Sequence, residues 1–520
     1  MKIAVLNLPA MRPTMPPYAI GIISNILNEI EKIDCDVYDV NLLFWDLLFS
    51  KNYNIKADII SEYYNLDSKI DIVSAKEMIK KSTTSFQDYN MAMERIQKQM
   101  LLYSELFEVK ISYGRVELPE NAYNIENLDR LSRDDKRNIY YKVISDYIHI
   151  LKEKQYEVVF ISIMCKEQLL SCLTLANLIK KYNDDLPIVI GGSFVDRFRE
   201  KFNNDIIQGL FTDILFGRAE ECIPKFLNKK YNMGLKIPLK MKHEVEFETF
   251  YGSLNIKDYY NMTNIMPIMA SRFCYYHNCK FCDNAYNYED MKRIELSAEE
   301  IVKQMKKYYK RYGITTFYFI DDCLSPLFAE QLSNILCKEK DFSWFANMRF
   351  SEKMIHKEYV ELLANSGCKQ LFLGMESYSD NELLRMRKGI KVDWIIPTIQ
   401  LLKQYGISVY ISVMLGFPGQ EDSDYEKTKN FLFENAKYLD MIDINIFTQT
   451  PVYNKRNKEV INKEEKMSFM NCNKNFRDEA TEKIINDRYS ELFNWVSKNN
   501  KLATYWNRNF YLRDYSYEGR

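Results

Sequence analysis

From residue 265 onward the chain repeats one pattern six times: a short apolar run suited to a buried strand, then a segment of helical periodicity. The strand candidates are 265–270, 315–320, 342–347, 370–374, 408–415 and 441–447. Ser297 followed by Glu300 forms a capping box ahead of Ile301, Val302 and Met305, and Gly313 can end that helix. Ser379 with Glu382 repeats the device before Leu383 and Leu384, while Gly367 and Gly406 stop the helices that precede the fourth and fifth strands. Six such units predict a (β/α)6 partial barrel within a domain spanning 231–450, with its active end at the C-terminal ends of the strands.

A second α/β unit is expected over residues 1–230. Residues 3–6 are apolar, Ile20, Ile23, Leu27 and Ile30 lie at helical spacing, and 35–40 reads as a strand. The pattern resumes with 158–161, a helix over 169–180 and a strand over 188–192, which predicts a doubly wound, Rossmann-like sheet. Residues from about 42 to 138 are polar, Tyr-rich and helical in pattern, so they read as a helical insertion. The extension 451–520 reads as helical or irregular, with Trp495, Tyr505, Trp506, Phe510 and Tyr511 suited to packing against the barrel or covering its mouth.

Composition narrows the function classes. With 520 residues the chain has room for about three domains, and 47% hydrophobic against 28% charged residues suits folded globular units. Lys+Arg 71 against Asp+Glu 72 leaves a net charge of -1, which argues against a nucleic-acid partner. No apolar run approaches the roughly 20 residues of a membrane helix, and the N-terminus reads as neither signal nor anchor. The 11 cysteines are scattered apart from one tight group, a pattern of reduced thiols in a cytoplasm. Cys165, Cys172, Cys323 and Cys368 sit in or beside apolar segments and read as small core hydrophobes.

The tight group is Cys274, Cys279 and Cys282, directly after the first barrel strand. Three thiolates can hold three irons of a 4Fe–4S cluster and leave the fourth iron open for chemistry. With His277 the same cysteines could instead make a closed zinc site, and spacing alone does not separate the two. Position does: a cysteine loop at the active end of a β/α barrel reads as a cofactor site.

Here the chain resembles the radical S-adenosylmethionine (SAM) superfamily over roughly residues 265–450. The three-cysteine loop carries the resemblance, with aromatic Phe281 just before the last cysteine, although four residues rather than the commoner three separate Cys274 from Cys279. The resemblance implies that Cys274, Cys279 and Cys282 hold the cluster. It also implies that the open iron binds the amino and carboxylate groups of SAM, and that an electron from a reductant such as flavodoxin or ferredoxin cleaves it to a 5'-deoxyadenosyl radical. Residue roles follow in the same way: Asp321 or Asp322, ending the second strand, for the methionine amine; Glu376, with Ser377, for the ribose; and the turn at Gly416 for the adenine. Arg349, just past the third strand, reads equally as a partner of the methionine carboxylate or as a surface residue capping the strand.

The N-terminal block resembles the cobalamin-binding-like domain that precedes the radical domain in one branch of the superfamily. The matching stretches are Pro16–Gly21, Ile161-Ser162-Ile163 with Gln168-Leu169-Leu170, Ile190–Ser193 and Gly217–Glu220. The Asp-x-His-x-x-Gly cobalt-ligand motif is absent, and His149 falls in a helical pattern. Cobalamin therefore stays open as a third cofactor. The function implied is radical modification of an unactivated carbon in a small molecule or peptide, with methyl transfer as the outcome if cobalamin is carried. Cobalamin-independent epimerisation or rearrangement, transfer RNA modification, and a zinc-stabilised binding protein are the alternatives.

Overall fold

The computed structural model describes residues 1–50, 70–81, 83–235, 247–282, 293–339, 341–449, 453, 469 and 477–499. They form two compact units, one of Met1–Thr263 with Asn462–Met470 and one of Asn264–Ile461 with Asn471–Arg520.

The first unit is built on strands β1 (Lys2–Asn7), β2 (Asp34–Asp39), β5 (Val158–Ser162), β6 (Ile188–Gly191) and β7 (Asp213–Ile214). All pair in parallel in the order β2-β1-β5-β6-β7, so the sheet is doubly wound and reverses direction between β1 and β5. The insertion between β2 and β5 is mainly helical, as its pattern predicts, with helices Ile72–Lys80, Phe86–Leu106 and Ile125–Ser132. It also holds a hairpin that the reading missed, β3 (Lys110–Ser112) against β4 (Arg115–Glu117) around Gly114. The unit runs past the expected boundary at residue 230. Tyr18 donates to the Phe247 carbonyl, the Tyr259 hydroxyl to Asp39, and the Tyr260 amide to the Pro13 carbonyl, so this later segment is stitched to the loops around β1 and β2.

The second unit is a six-stranded parallel sheet in the order β15-β14-β13-β12-β11-β8. Its strands are β8 (Ile265–Ile268), β11 (Thr316–Phe319), β12 (Ser343–Met348), β13 (Cys368–Glu376), β14 (Ser408–Leu415) and β15 (Met441–Ile446). Each predicted strand is present. Among the described residues β8 and β15 are not paired, so the barrel is partial. One face of every strand lies under helices: Phe317 packs on Tyr308 of helix Ala298–Tyr312 and Phe319 on Phe328 of helix Pro326–Leu336. The opposite, concave face carries Tyr318, Asn347, Phe372, Tyr410 and, by register, Ser412 beside Asp443.

The first capping box forms as read, with Ser297 and Glu300 bonded reciprocally and Gly313 left-handed at the helix end. The second does not. Ser379 makes no side-chain cap to helix Asp380–Arg385, because its hydroxyl donates to Asp424, and Glu382 turns inward to Ser377 and Gln420. Trp495 stacks on Phe433, so the helix Glu479–Asn499 packs on the barrel as expected. Tyr505, Trp506, Phe510 and Tyr511 lie outside the described residues.

Candidate functional site

The cysteine loop leaves β8 through a two-residue strand, β9 (Ser271–Arg272), paired with β10 (Ile294–Glu295). Its root is held by Asp321, just past the end of β11. One carboxylate oxygen accepts the Ser271 amide at 2.5 Å and hydroxyl at 2.7 Å, and the other accepts the Ala270 amide at 3.0 Å. Asp321 is 1% exposed, and burial pushes its carboxyl up to about 6 against the pull of these bonds. Asp321 is thus committed to the backbone; of the two aspartates assigned from the resemblance, Asp322 is the exposed one.

The far end of the loop is tied to the turn after helix Asp380–Arg385. The Lys280 amide donates to the Met386 carbonyl at 2.9 Å and the Tyr276 hydroxyl to the Arg387 carbonyl at 3.0 Å. Gly389 is left-handed, and a Cβ there would strike the Tyr276 hydroxyl.

Arg349 is no surface residue: it is 7% exposed, lies 3.4 Å from the Tyr276 ring centroid and donates to the Lys388 carbonyl. Its Nε is buried without a hydrogen-bond partner. Lys388, which the sequence reading did not single out, forms a buried ion pair with Glu376 at 2.7 Å. Burial pulls the Lys388 ammonium down, but the charges of Glu376 and Cys279 and the hydrogen bond to Glu376 together outweigh it, so the net shift is upward and the lysine stays charged. Its Nζ also lies 5.3 Å from the Phe281 ring. A Cβ on Gly374 would sit 2.5 Å from Lys388 Nζ and 3.0 Å from Glu376 Oε1, so a side chain there would displace the ion pair from its present position. Glu376 itself is left-handed at a bulge between β13 and β14.

The thiols fit a cluster. A hydrogen bond from Cys323 draws the Cys274 thiol down to about 5 despite burial, helped by the His277 and Tyr276 amides and the Arg349 charge. Burial pushes Cys279 up, and Lys388 and Arg349 oppose it. Two buried cations beside thiolate ligands and an orphan guanidinium N–H suit an anionic cluster and a carboxylate. Cys279 is buried and Cys282 half-buried, while His277 is exposed. Among the described residues no three His, Cys, Asp or Glu side chains converge on one metal-ion position. A four-iron cluster asks for something else, since each cysteine binds a different iron.

On the far side, Phe281 meets Phe417 edge-on at 6.5 Å, and Phe417 packs with Met386, Phe447 and Tyr453. The structure therefore gathers the cysteine loop, Arg349, Glu376 and Phe281 beside the turn at Gly416. Ser377 is not among them: it is fully enclosed and donates to Glu382 at 2.6 Å, so it supports the strand end rather than facing a ligand.

The Radical SAM superfamily model matches residues 268–432. Over those residues, about a third of the chain, the second unit is similar to the radical SAM domain. The cofactors of such a domain are a 4Fe–4S cluster and SAM. An uncharacterized methyltransferase of Pyrococcus horikoshii is 30% identical over 192 residues, 36% of this chain and 39% of that protein. A ribosomal protein uS12 methylthiotransferase, RimO, of Clostridium botulinum is 24% identical over 325 residues, 58% of this chain and 69% of that protein. Among solved structures, the radical SAM methyltransferase TsrM of Kitasatospora setae, with cobalamin and a [4Fe-4S] cluster bound, aligns with TM-score 0.53 and 11% identity, covering 86% of this chain and 73% of that one. The cobalamin-dependent radical enzyme OxsB, with aqua-cobalamin and SAM bound, aligns with TM-score 0.51 and 14% identity, over 90% and 56%. At these identities the two structures establish a shared fold.

A third cofactor, cobalamin, would fall to the N-terminal unit. Its β1 loop is buttoned down: Gln168 donates to the Leu8 carbonyl, Ser171 to Pro9, Cys165 to Ala10 and Trp45 to Met11. That loop presents no imidazole, and His149 is exposed on helix Tyr141–Lys154. Gly192 lets the chain after β6 approach the chain after β5, since a Cβ there would lie 2.5 Å from the Ile163 carbonyl oxygen. Among the described residues no helix is long and apolar enough to cross a membrane.

Proposed function

We propose that this radical SAM enzyme transfers a methyl group to an unactivated carbon of a small molecule or peptide. The observation that carries the reading is the cysteine loop at the active end of the barrel, fastened at its root by Asp321 and flanked by the buried cations Arg349 and Lys388. The methyltransferase relative and the fold shared with TsrM and OxsB support the methyl outcome. In this reading a cluster held by Cys274, Cys279 and Cys282 and fed by a flavodoxin- or ferredoxin-like donor would supply the electron for reductive cleavage of SAM to methionine and a 5'-deoxyadenosyl radical.

The chain's own residues do the rest. Cys274, Cys279 and Cys282 hold the cluster, and Arg349 neutralises the methionine carboxylate. Asp322 takes the amine and Glu376, steadied by Lys388, takes the ribose. Phe281 and the turn at Gly416 wall the adenosyl group. Substrate lies on the concave face of Tyr318, Phe372, Tyr410 and Ser412, where packed aromatics exclude water from the radical. Any cobalamin would be held by the N-terminal unit at its strand ends.

The test is anaerobic reconstitution followed by SAM and dithionite, with or without methylcobalamin, and mass spectrometry of the nucleosides. The expected products are 5'-deoxyadenosine, lost in Cys279→Ala, and S-adenosylhomocysteine that depends on cobalamin. Deoxyadenosine without homocysteine product would refute methyl transfer and leave a cobalamin-independent radical reaction.

A further inference from the structure

We propose that the C-terminal segment from Arg477 to Ile485, beyond the family-matched residues, is a positioning element for the adenosyl half of SAM, acting through the turn at Gly416. The inference rests on the reading above that this turn borders the adenine.

Both peptide groups of Gly416 are held. Its N–H donates to the Gln420 side-chain oxygen at 2.8 Å, and its carbonyl accepts from Arg477 Nη2 at 2.8 Å. The same Nη2 reaches the Phe447 carbonyl, just past the end of β15, at 2.7 Å. The other arm of the guanidinium pairs with Glu482 at 3.2 Å, and the Arg477 side chain is nearly enclosed. A single planar fork thereby ties the ends of β14 and β15 together, which a point-charge ammonium would not do with the same geometry.

The space around the turn is matched as well. Gly416 is left-handed, and a Cβ on it would sit 2.5 Å from Ile485 Cδ1 and 2.9 Å from Arg477 Nη2. The glycine is therefore required by the C-terminal segment lying over it. From the other side Gln420 donates to Glu382, which accepts from Ser377 at the end of β13. One buried chain, Ser377–Glu382–Gln420–Gly416–Arg477, thus spans three strand ends. Phe417, the residue after Gly416, contacts Phe281 of the cysteine loop, so the position of the turn sets the position of the wall beside the cluster.

A residue that only held the fold would change stability. A positioning residue changes affinity for SAM and leaves affinity for methionine alone, which needs only the cluster end of the site. The full-length, cluster-loaded protein is titrated without reductant with SAM and, separately, with methionine, following the heat of binding. Arg477→Met is expected to weaken SAM about tenfold, with iron content and methionine affinity unchanged. Ile485→Ala should weaken it by a smaller factor, and it serves if Arg477→Met does not fold. Arg488→Met, on the same helix as Ile485, breaks the pair with Asp422 of helix Asp422–Asn435 and should leave SAM affinity within twofold.

Unchanged SAM affinity in Arg477→Met, alongside weakened SAM binding in Gly416→Val, would overturn the positioning role while keeping the turn at the adenine. Unchanged affinity in both would remove the turn from the SAM site and the proposal with it. Equal losses in Arg477→Met and Arg488→Met would reduce the effect to general loosening of the helix and also overturn the proposal.

Discussion

Lys388→Met should destabilise the second unit far more than a surface substitution would. The pair Lys388–Glu376 is closed at 2.7 Å with side-chain exposures of 7% and 9%, so neither charge is hydrated in compensation. Removing one partner of such a pair strands the other in a low-dielectric setting, at a cost of about 3–5 kcal/mol. Glu376→Gln should be costly for the same reason, since it leaves an ammonium beside Phe281 with no countercharge. The double variant removes both charges and should recover most of the loss, giving a coupling energy of about 3 kcal/mol. The assay is urea denaturation of the cluster-free protein and both single and double variants, followed by circular dichroism and by tryptophan fluorescence, which includes Trp344 in the barrel core. If the single variants cost under about 0.5 kcal/mol, or if their costs simply add in the double variant, the pair is hydrated in solution. The argument from burial would then fail.

Other expectations follow from the same network. Burial raises the Glu382 carboxyl from 4.5 to about 7, against the bonds from Ser377 and Gln420. Because the folded-state value is the higher one, the stability from holding that proton is full below 4.5 and lost as pH rises through 7. That is a loss of about 3 kcal/mol across the window, which Glu382→Gln should largely flatten; an unchanged denaturation profile between pH 4.5 and 8 would show that Glu382 titrates normally. Gly389→Ala should unseat Tyr276 and lower the cluster content after reconstitution, measured as iron and sulfide per chain, because the left-handed backbone and the hydroxyl contact both forbid a side chain. Asp321→Asn should lower cluster content too, since an amide puts a donor against one of the backbone N–H groups the carboxylate accepts; full cluster loading in this variant would refute the role given to the anchor.

The strand pattern was legible because parallel strands covered by helices must be apolar on the covered face and spaced by helical runs, and both marks are local. Hence all six barrel strands, the capping box at Ser297 and the stops at Gly367 and Gly406 stand where the sequence places them. The cysteine loop was legible for a similar reason: its ligands lie close together in the chain. The hairpin around Gly114 escaped, since three-residue strands leave too short a period to see.

Tertiary structure alone decided which polar residues face the site. Ser379 and Glu382 have capping-box spacing, yet Glu382 serves Ser377 and Gln420 because the neighbouring strand end brings them within reach. Asp321 and Asp322 are adjacent in sequence, but the direction of β11 turns the first to the loop root and leaves the second exposed. Lys388 is paired with Glu376, and Arg477 with Gly416 and Phe447, across separations that no local pattern records. A sequence specifies spacing along the chain, and so it determined the elements and the cofactor loop. Which distant charges and carbonyls meet depends on how the strand ends are set side by side in the sheet, and that exists only once the strands are assembled.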